Sequence, residues 1–181
     1  MKKVEHGKTF DRNAANPPAF EIFHNTVTEG YPEHWHTAIE IIMPTRGEYE
    51  VVVGKDSYNL KEGDIIMINS GVVHGMRFVS QGERIVMLVE PGCVENQEEM
   101  ETIFLRLPAI YFKKEDEEDP FYLFLRSQIL ELVREYDNEG AVMTHRICTG
   151  LKELFSEFGR KGFSDANAQN TFGAMKQQEY I

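Results

Sequence analysis

The sequence predicts a mainly β protein: a small barrel followed by an antiparallel helical hairpin. Three observations support this. Between residues 19 and 90, short apolar runs alternate with turns rich in Gly, Asn, Asp and Pro, the pattern of a β-sandwich or barrel. From residue 120, apolar residues recur at three- and four-residue spacing, which is the period of amphipathic helices. An acidic run, Glu115-Asp116-Glu117-Glu118-Asp119, separates the two regions and reads as a solvated connection. The expected division is an arm at 1–18, a barrel at 19–110, a hairpin at 111–162 and a polar linker at 163–181.

The arm is polar and ends in Asn16-Pro17-Pro18, a poor start for a strand. Strands are expected at 19–23, at 35–43 up to Pro44, at 48–53, 57–60, 65–68, 72–78 and 84–89. Gly54-Lys55-Asp56, Lys61-Glu62-Gly63-Asp64 and Asn69-Ser70-Gly71 supply turns. Tyr49, Val51 and Val53 alternate with polar neighbours, giving one dry face. The runs 39–43, 65–68 and 84–89 are apolar on both faces, so they need cover on both. The barrel interior covers one face, and the helices are expected outside the other.

Asp119 is a good N-cap and Pro120 suits the first helical position. Tyr122, Leu125, Ile129, Leu132, Val133 and Tyr136 then form one stripe, and Met143, Ile147, Leu151, Leu154, Phe155 and Phe158 a second. The stripes are expected to divide between the sheet and a homodimer interface, because Phe121, Phe124 and Val142 widen the apolar surface.

A chain of 181 residues with 41% hydrophobic and 27% charged residues is ordinary for a globular protein. No apolar run approaches the roughly 18 residues of a membrane span, and the start has no signal-peptide core. The cytoplasm and no membrane partner are therefore expected. Thirty acidic residues against 19 basic ones, a net charge of -11, argue against direct DNA binding, which needs a basic surface. Cys93 and Cys148 fall in no metal-type spacing; buried thiols are expected, with a disulfide between them the less favoured reading.

Two spaced patterns hold the chemistry: Gly30-x3-His34-x-His36-x3-Glu40-x6-Gly47 and Gly63-x5-Asn69-x-Gly71-x2-His74. If 34, 36 and 40 share one strand, they point to one face, and two imidazoles with a carboxylate suit a divalent metal. His74, on a later strand, would supply a fourth ligand if the sheet curls. A metal-free polar pocket fits the same residues. Tyr31 is placed at the pocket mouth or on an exposed loop. Trp35 is expected in the core beneath the helices, and Arg46 and Arg77 in solvent. His6, His24 and His145 receive no role. No phosphate loop, activated nucleophile or paired catalytic carboxylates can be picked out.

The two patterns resemble the paired motifs of the cupin superfamily, whose jelly-roll barrel supplies metal ligands. Here His34, His36, Glu40 and His74 fall on its four ligand positions. The sequence departs from the usual pattern in three ways: three residues rather than five between Gly30 and His34, Asn69 in place of proline, and Phe78 in place of asparagine. The resemblance implies one divalent ion, Zn, Ni, Fe or Mn. More specifically, residues 19–162 are similar to the N-terminal half of AraC-type transcriptional regulators. The string His34-Trp35-His36-Thr37-Ala38-Ile39-Glu40-Ile41-Ile42, Gly47, the Leu60-x2-Gly63-Asp64 turn and His74 carry that similarity. It implies a non-enzymatic barrel that binds a small-molecule effector, with sugars as one candidate class. Tyr31, His34, His36, Glu40 and His74 would line the site. It further implies a homodimer through the C-terminal helices, and DNA binding by a helix-turn-helix region absent from these residues. The alternative is a self-contained cupin metalloenzyme, an oxygenase or isomerase using the three histidines and the glutamate; a carbohydrate-binding barrel is a third reading.

Overall fold

A computed structural model describes residues 19–26, 30–93, 108–116, 118–138 and 140–161; the expected arm and linker lie outside them. Among these described residues the strands run β1 (Phe20–Asn25), β2 (Tyr31–His34), β3 (Ile39–Arg46), β4 (Tyr49–Val53), β5 (Asp56–Leu60), β6 (Ile65–Ile68), β7 (His74–Phe78), β8 (Glu83–Val89) and β9 (Ala109–Phe112). The helices α1 (Pro120–Asp137) and α2 (Met143–Lys161) follow. The strands form two antiparallel sheets, one ordered β1-β8-β3-β6-β9 and the other β2-β7-β4-β5.

The side-chain period of two explains the doubly apolar strands. On one face of the five-stranded sheet, Ile42, Ile66, Ile68 and Ala109 pack with Tyr49, Val51, Val53, Leu60 and Met76 of the facing sheet. On its other face, Ile39, Ile41, Met43, Ile65, Met67, Ile85, Met87 and Val89 pack with Tyr122, Leu125, Ile129 and Leu132 of α1 and Ile147, Leu151, Leu154, Phe155 and Phe158 of α2. The helices therefore cover the outside of that sheet, as the apolar faces required.

Local chemistry sets the ends of α1. Asp119 is extended and accepts a 2.8 Å bond from the Phe121 N–H, with Pro120 inside the first turn. Tyr122 donates its hydroxyl to the Gly63 carbonyl at 2.8 Å, tying α1 to the β5–β6 turn. Where α1 and α2 cross, Gly150 allows close approach: a Cβ there would stand 2.9 Å from Leu132 Cδ2.

Four expectations change. Pro44 does not end β3, which continues to Arg46. Its carbonyl accepts from the Gly63 N–H at 2.8 Å, so its missing N–H points to the same side, toward a turn beyond the paired part of β6. The run 35–43 is not one strand: β2 ends at His34 and β3 begins at Ile39. Trp35, on the connection between them, is 57% exposed rather than under the helices. β2 and β9 were not anticipated.

Candidate metal centre

His34 ends β2, His36 lies on the connection to β3, Glu40 stands near the start of β3, and His74 opens β7. The four residues thus come from both sheets, and His34, His36 and Glu40 do not share one strand. Their potential ligand atoms all lie within 4.8 Å of one another, with His36, Glu40 and His74 buried and His34 toward solvent.

The two sequence patterns meet in the backbone. Gly71, with φ of 75°, donates its N–H to the His36 carbonyl at 2.8 Å. Asn69, standing where proline is usual, closes the same turn by accepting the Ser70 N–H on its side chain at 2.7 Å. The 35–38 connection is held from the other side by the Thr37 hydroxyl, which donates to the Glu90 carboxylate at 3.1 Å. Gly30 lets β2 lie close to β7, since a Cβ there would meet the Met76 carbonyl oxygen at 2.4 Å. That approach sets His34 opposite His74 in the register.

The hydrogen bonds assign the tautomers. Nδ1 of His36, His74 and His34 lies 2.9, 2.8 and 2.9 Å from the carbonyls of Ala38, Val72 and Pro32. A carbonyl only accepts, so each Nδ1 carries a hydrogen and each neutral ring presents a bare Nε2. Nε2 of His36 and of His74 both lie 2.9 Å from the same oxygen, Glu40 Oε2. Two bare nitrogens facing a carboxylate oxygen repel unless a proton or a cation lies between them. Backbone carbonyls holding Nδ1–H, with Nε2 and a carboxylate converging, is the outer-sphere arrangement of histidine metal ligands. The four residues fit a divalent ion.

Electrostatics agree. Burial opposes the charge on Glu40, but where Nε2 of His36 and His74 carries a proton, the bonds it donates outweigh burial and hold the carboxyl at about 2; a cation at that position would favour the anion in the same way. Burial lowers the His34 pKa; the Pro32 carbonyl and Glu40 oppose that, and the neighbouring His74 and His36 add to it. The site therefore keeps an anionic oxygen and favours a neutral His34 ring.

Tyr31 does not join this cluster. It is 47% exposed, and its hydroxyl accepts from Asn25 Nδ2 at 3.2 Å. It lines an open groove of about 590 Å³ with Gly30, Pro32, Glu33, Val52, Arg77 and Phe78, and none of the four cluster residues reaches that groove. Arg46 and Arg77 are exposed, paired with Glu83 and Glu50. Sequence reasoning missed Arg84. It is fully buried on the barrel-facing side of β8, its guanidinium 4.7 Å from the Tyr49 ring centre and 5.6 Å from that of Tyr31. An arginine directly before the apolar run 85–89 was the available signal.

Residues 25–90 match the family model described as a cupin domain. Among solved structures the chain is similar to ToxT from Vibrio cholerae, at 11% identity over 81% of this chain and 56% of that one, with a TM-score of 0.50. An apo ToxT variant from the same organism gives 10% identity, 92% and 61% coverage and a TM-score of 0.51. A variant of Bacillus subtilis oxalate decarboxylase matches over 40% of this chain and 21% of that one, at 18% identity and a TM-score of 0.37. The chain spans less than two thirds of each of these proteins. No curated protein matches it. The chain thus contains a cupin domain followed by a helical pair.

Proposed function

We propose that this chain is the effector-sensing and dimerisation region of an AraC-type transcriptional regulator, with a small molecule bound at the barrel and DNA bound by a helix-turn-helix region outside these 181 residues. The observation that carries the reading is the shared core: the barrel sheet and both helices bury their side chains against one another as one cluster. A change at the barrel then reaches the helices through packed contacts, and an effector acts by binding one packing state more tightly than another. The fold likeness to ToxT supports it by extending past the barrel into the helices, over 81% and 92% of the chain. The net charge of -11 agrees with leaving DNA to another region.

The dimer would form through the outer face of the hairpin, since the main stripes already face the sheet. Leu123 and Val142 are 51% and 56% exposed there. Two experiments test the reading. Translation of the gene beyond codon 181 should yield a basic region with helix-turn-helix units, and sedimentation should give a dimer. An immediate stop codon together with a monomer at all concentrations overturns it.

The cluster itself favours a second reading, a cupin metalloenzyme of the oxygenase or isomerase class. His34, His36, Glu40 and His74 would hold the ion, which would supply Lewis-acid or redox chemistry. Turnover by metal-loaded protein that disappears in His36→Ala would establish that reading over the first.

A further inference from the structure

Cys93 ends the short 3-10 turn Pro91–Cys93 that follows β8, and Cys148 lies on α2. The two residues are 55 positions apart, yet their sulfur atoms face each other at 3.3 Å. Both are free thiols at intermediate exposure. We infer that Cys93 and Cys148 form a reversible disulfide, a redox-controlled clamp between the end of the barrel and the helical pair.

The geometry asks for little movement. A disulfide has its sulfurs about 2.05 Å apart, so the pair must close by roughly 1.2 Å, within reach of side-chain rotation. Both residues pack at the margin of the core shared by sheet and helices, so the new bond would fasten an existing contact. Among the described residues no third histidine, cysteine or carboxylate converges with the two sulfurs, which favours a thiol pair over a metal site.

The oxidant is a small disulfide such as oxidised glutathione. One thiol loses its proton and attacks the small disulfide, giving a mixed disulfide and releasing one small thiol. The second cysteine then displaces the other small thiol and closes the bond. In total two protons and two electrons leave the cysteine pair, and one small disulfide becomes two small thiols. Burial, and then the facing Cys148 sulfur, push the Cys93 thiol up to about 12, against a smaller pull from Lys152. Cys93 therefore stays protonated near neutrality, so closure is slow there and quickens with pH. In a reducing compartment the clamp is open and closes under oxidative load.

The test incubates the 181-residue chain with oxidised or reduced glutathione at pH 7 and pH 8.5, counting free thiols and following non-reducing electrophoresis and Tm. Both thiols should disappear together in a monomeric species, faster at the higher pH. Tm should rise by about 5–10 °C and return on reduction with dithiothreitol. Cys148→Ser should show no Tm rise on oxidation, and the reduced wild type is the reference if that variant folds poorly. Thiols that stay free under excess oxidised glutathione, persistent glutathione adducts, or products linked only between chains would each overturn the clamp.

Discussion

His74 Nε2 lies 2.9 Å from Glu40 Oε2, although the two residues are 34 positions apart and stand on strands of different sheets. The Val72 carbonyl takes the Nδ1 hydrogen of that imidazole, so the neutral ring offers its Nε2 lone pair to a carboxylate oxygen. A divalent ion at about 2.0–2.2 Å from each ligand relieves that conflict.

Protein purified without a polyhistidine tag or added metal should therefore hold close to one ion per chain by elemental analysis. His36→Ala and Glu40→Gln should each bring it to background while far-ultraviolet circular dichroism keeps the barrel signature. Glu40 keeps its charge throughout the useful pH range, so the imidazoles set the pH dependence. Burial lowers the His34 pKa, so affinity should fall with acidification in a range below that of free imidazole, where the ring takes its second proton. Trace metal that is equal in wild type and His36→Ala would reduce the cluster to a polar lining.

Where the sequence pattern was regular, the fold was legible. Tyr49, Val51 and Val53 alternate, and all three are buried inside the barrel; Leu125, Ile129, Leu151 and Phe155 repeat at helical spacing, and all are buried against the sheet. It failed where the chain changes sheets. Between His34 and Ile39 it leaves one sheet for the other, so alternation no longer tells which way a side chain points, and Trp35 was placed in the core when it is exposed. β2 escaped notice because Pro32 sits in it, which is tolerated since β2 is an edge strand. The Cys93–Cys148 contact, like the buried Arg84, depends on how distant segments pack, and no local spacing announces it.

The helical cover is open to direct test. Leu151 and Leu154 are both fully buried between α2 and the sheet. Leu151→Asp or Leu154→Asp removes that packing and buries a carboxylate with no partner. Each should cost at least about 4 kcal/mol in chemical denaturation, the upper part of the usual leucine-to-alanine cavity range or beyond it, because a carboxylate is buried as well. Unchanged melting in both variants would show that the helices do not pack there.

Asp64 fastens the turn before β6 to β9 and the residues just after it. One carboxylate oxygen accepts the Lys61 N–H at 2.9 Å and the Tyr111 hydroxyl at 2.7 Å, and the other accepts the Lys114 N–H at 2.8 Å. The residue is 4% exposed, so Asp64→Ala strands the two backbone donors and leaves the Tyr111 hydroxyl only the Asn59 carbonyl. The expected loss is about 2–4 kcal/mol, read as a lower denaturation midpoint with an unchanged slope. Tyr111→Phe removes one hydroxyl, which reaches both Asp64 and the Asn59 carbonyl at 3.1 Å, and should cost about 1 kcal/mol. Equal losses in the two variants would argue against this account of Asp64.

The last prediction concerns the start of α1. Asp119 accepts from Lys161 Nζ at 2.7 Å and from the Phe121 N–H at 2.8 Å, and these two bonds, Lys161 first, hold its carboxyl below the usual value. The Lys161 pair is solvent-exposed and screened, so the cap to the backbone should carry most of the stability. Asp119→Ala should cost about 1 kcal/mol at pH 7, and Lys161→Ala clearly less. A carboxyl whose folded pKa is depressed binds its proton more readily in the unfolded chain. Its contribution is therefore whole above the unfolded value of about 3.9 and is lost as pH falls through the lower, folded value. The stability gap between wild type and Asp119→Ala should be constant from pH 7 to 5 and narrow below about pH 4. A gap that stays the same down to pH 2.5 would mean that the charge of Asp119 contributes nothing and that the alanine acts only through the lost side-chain packing.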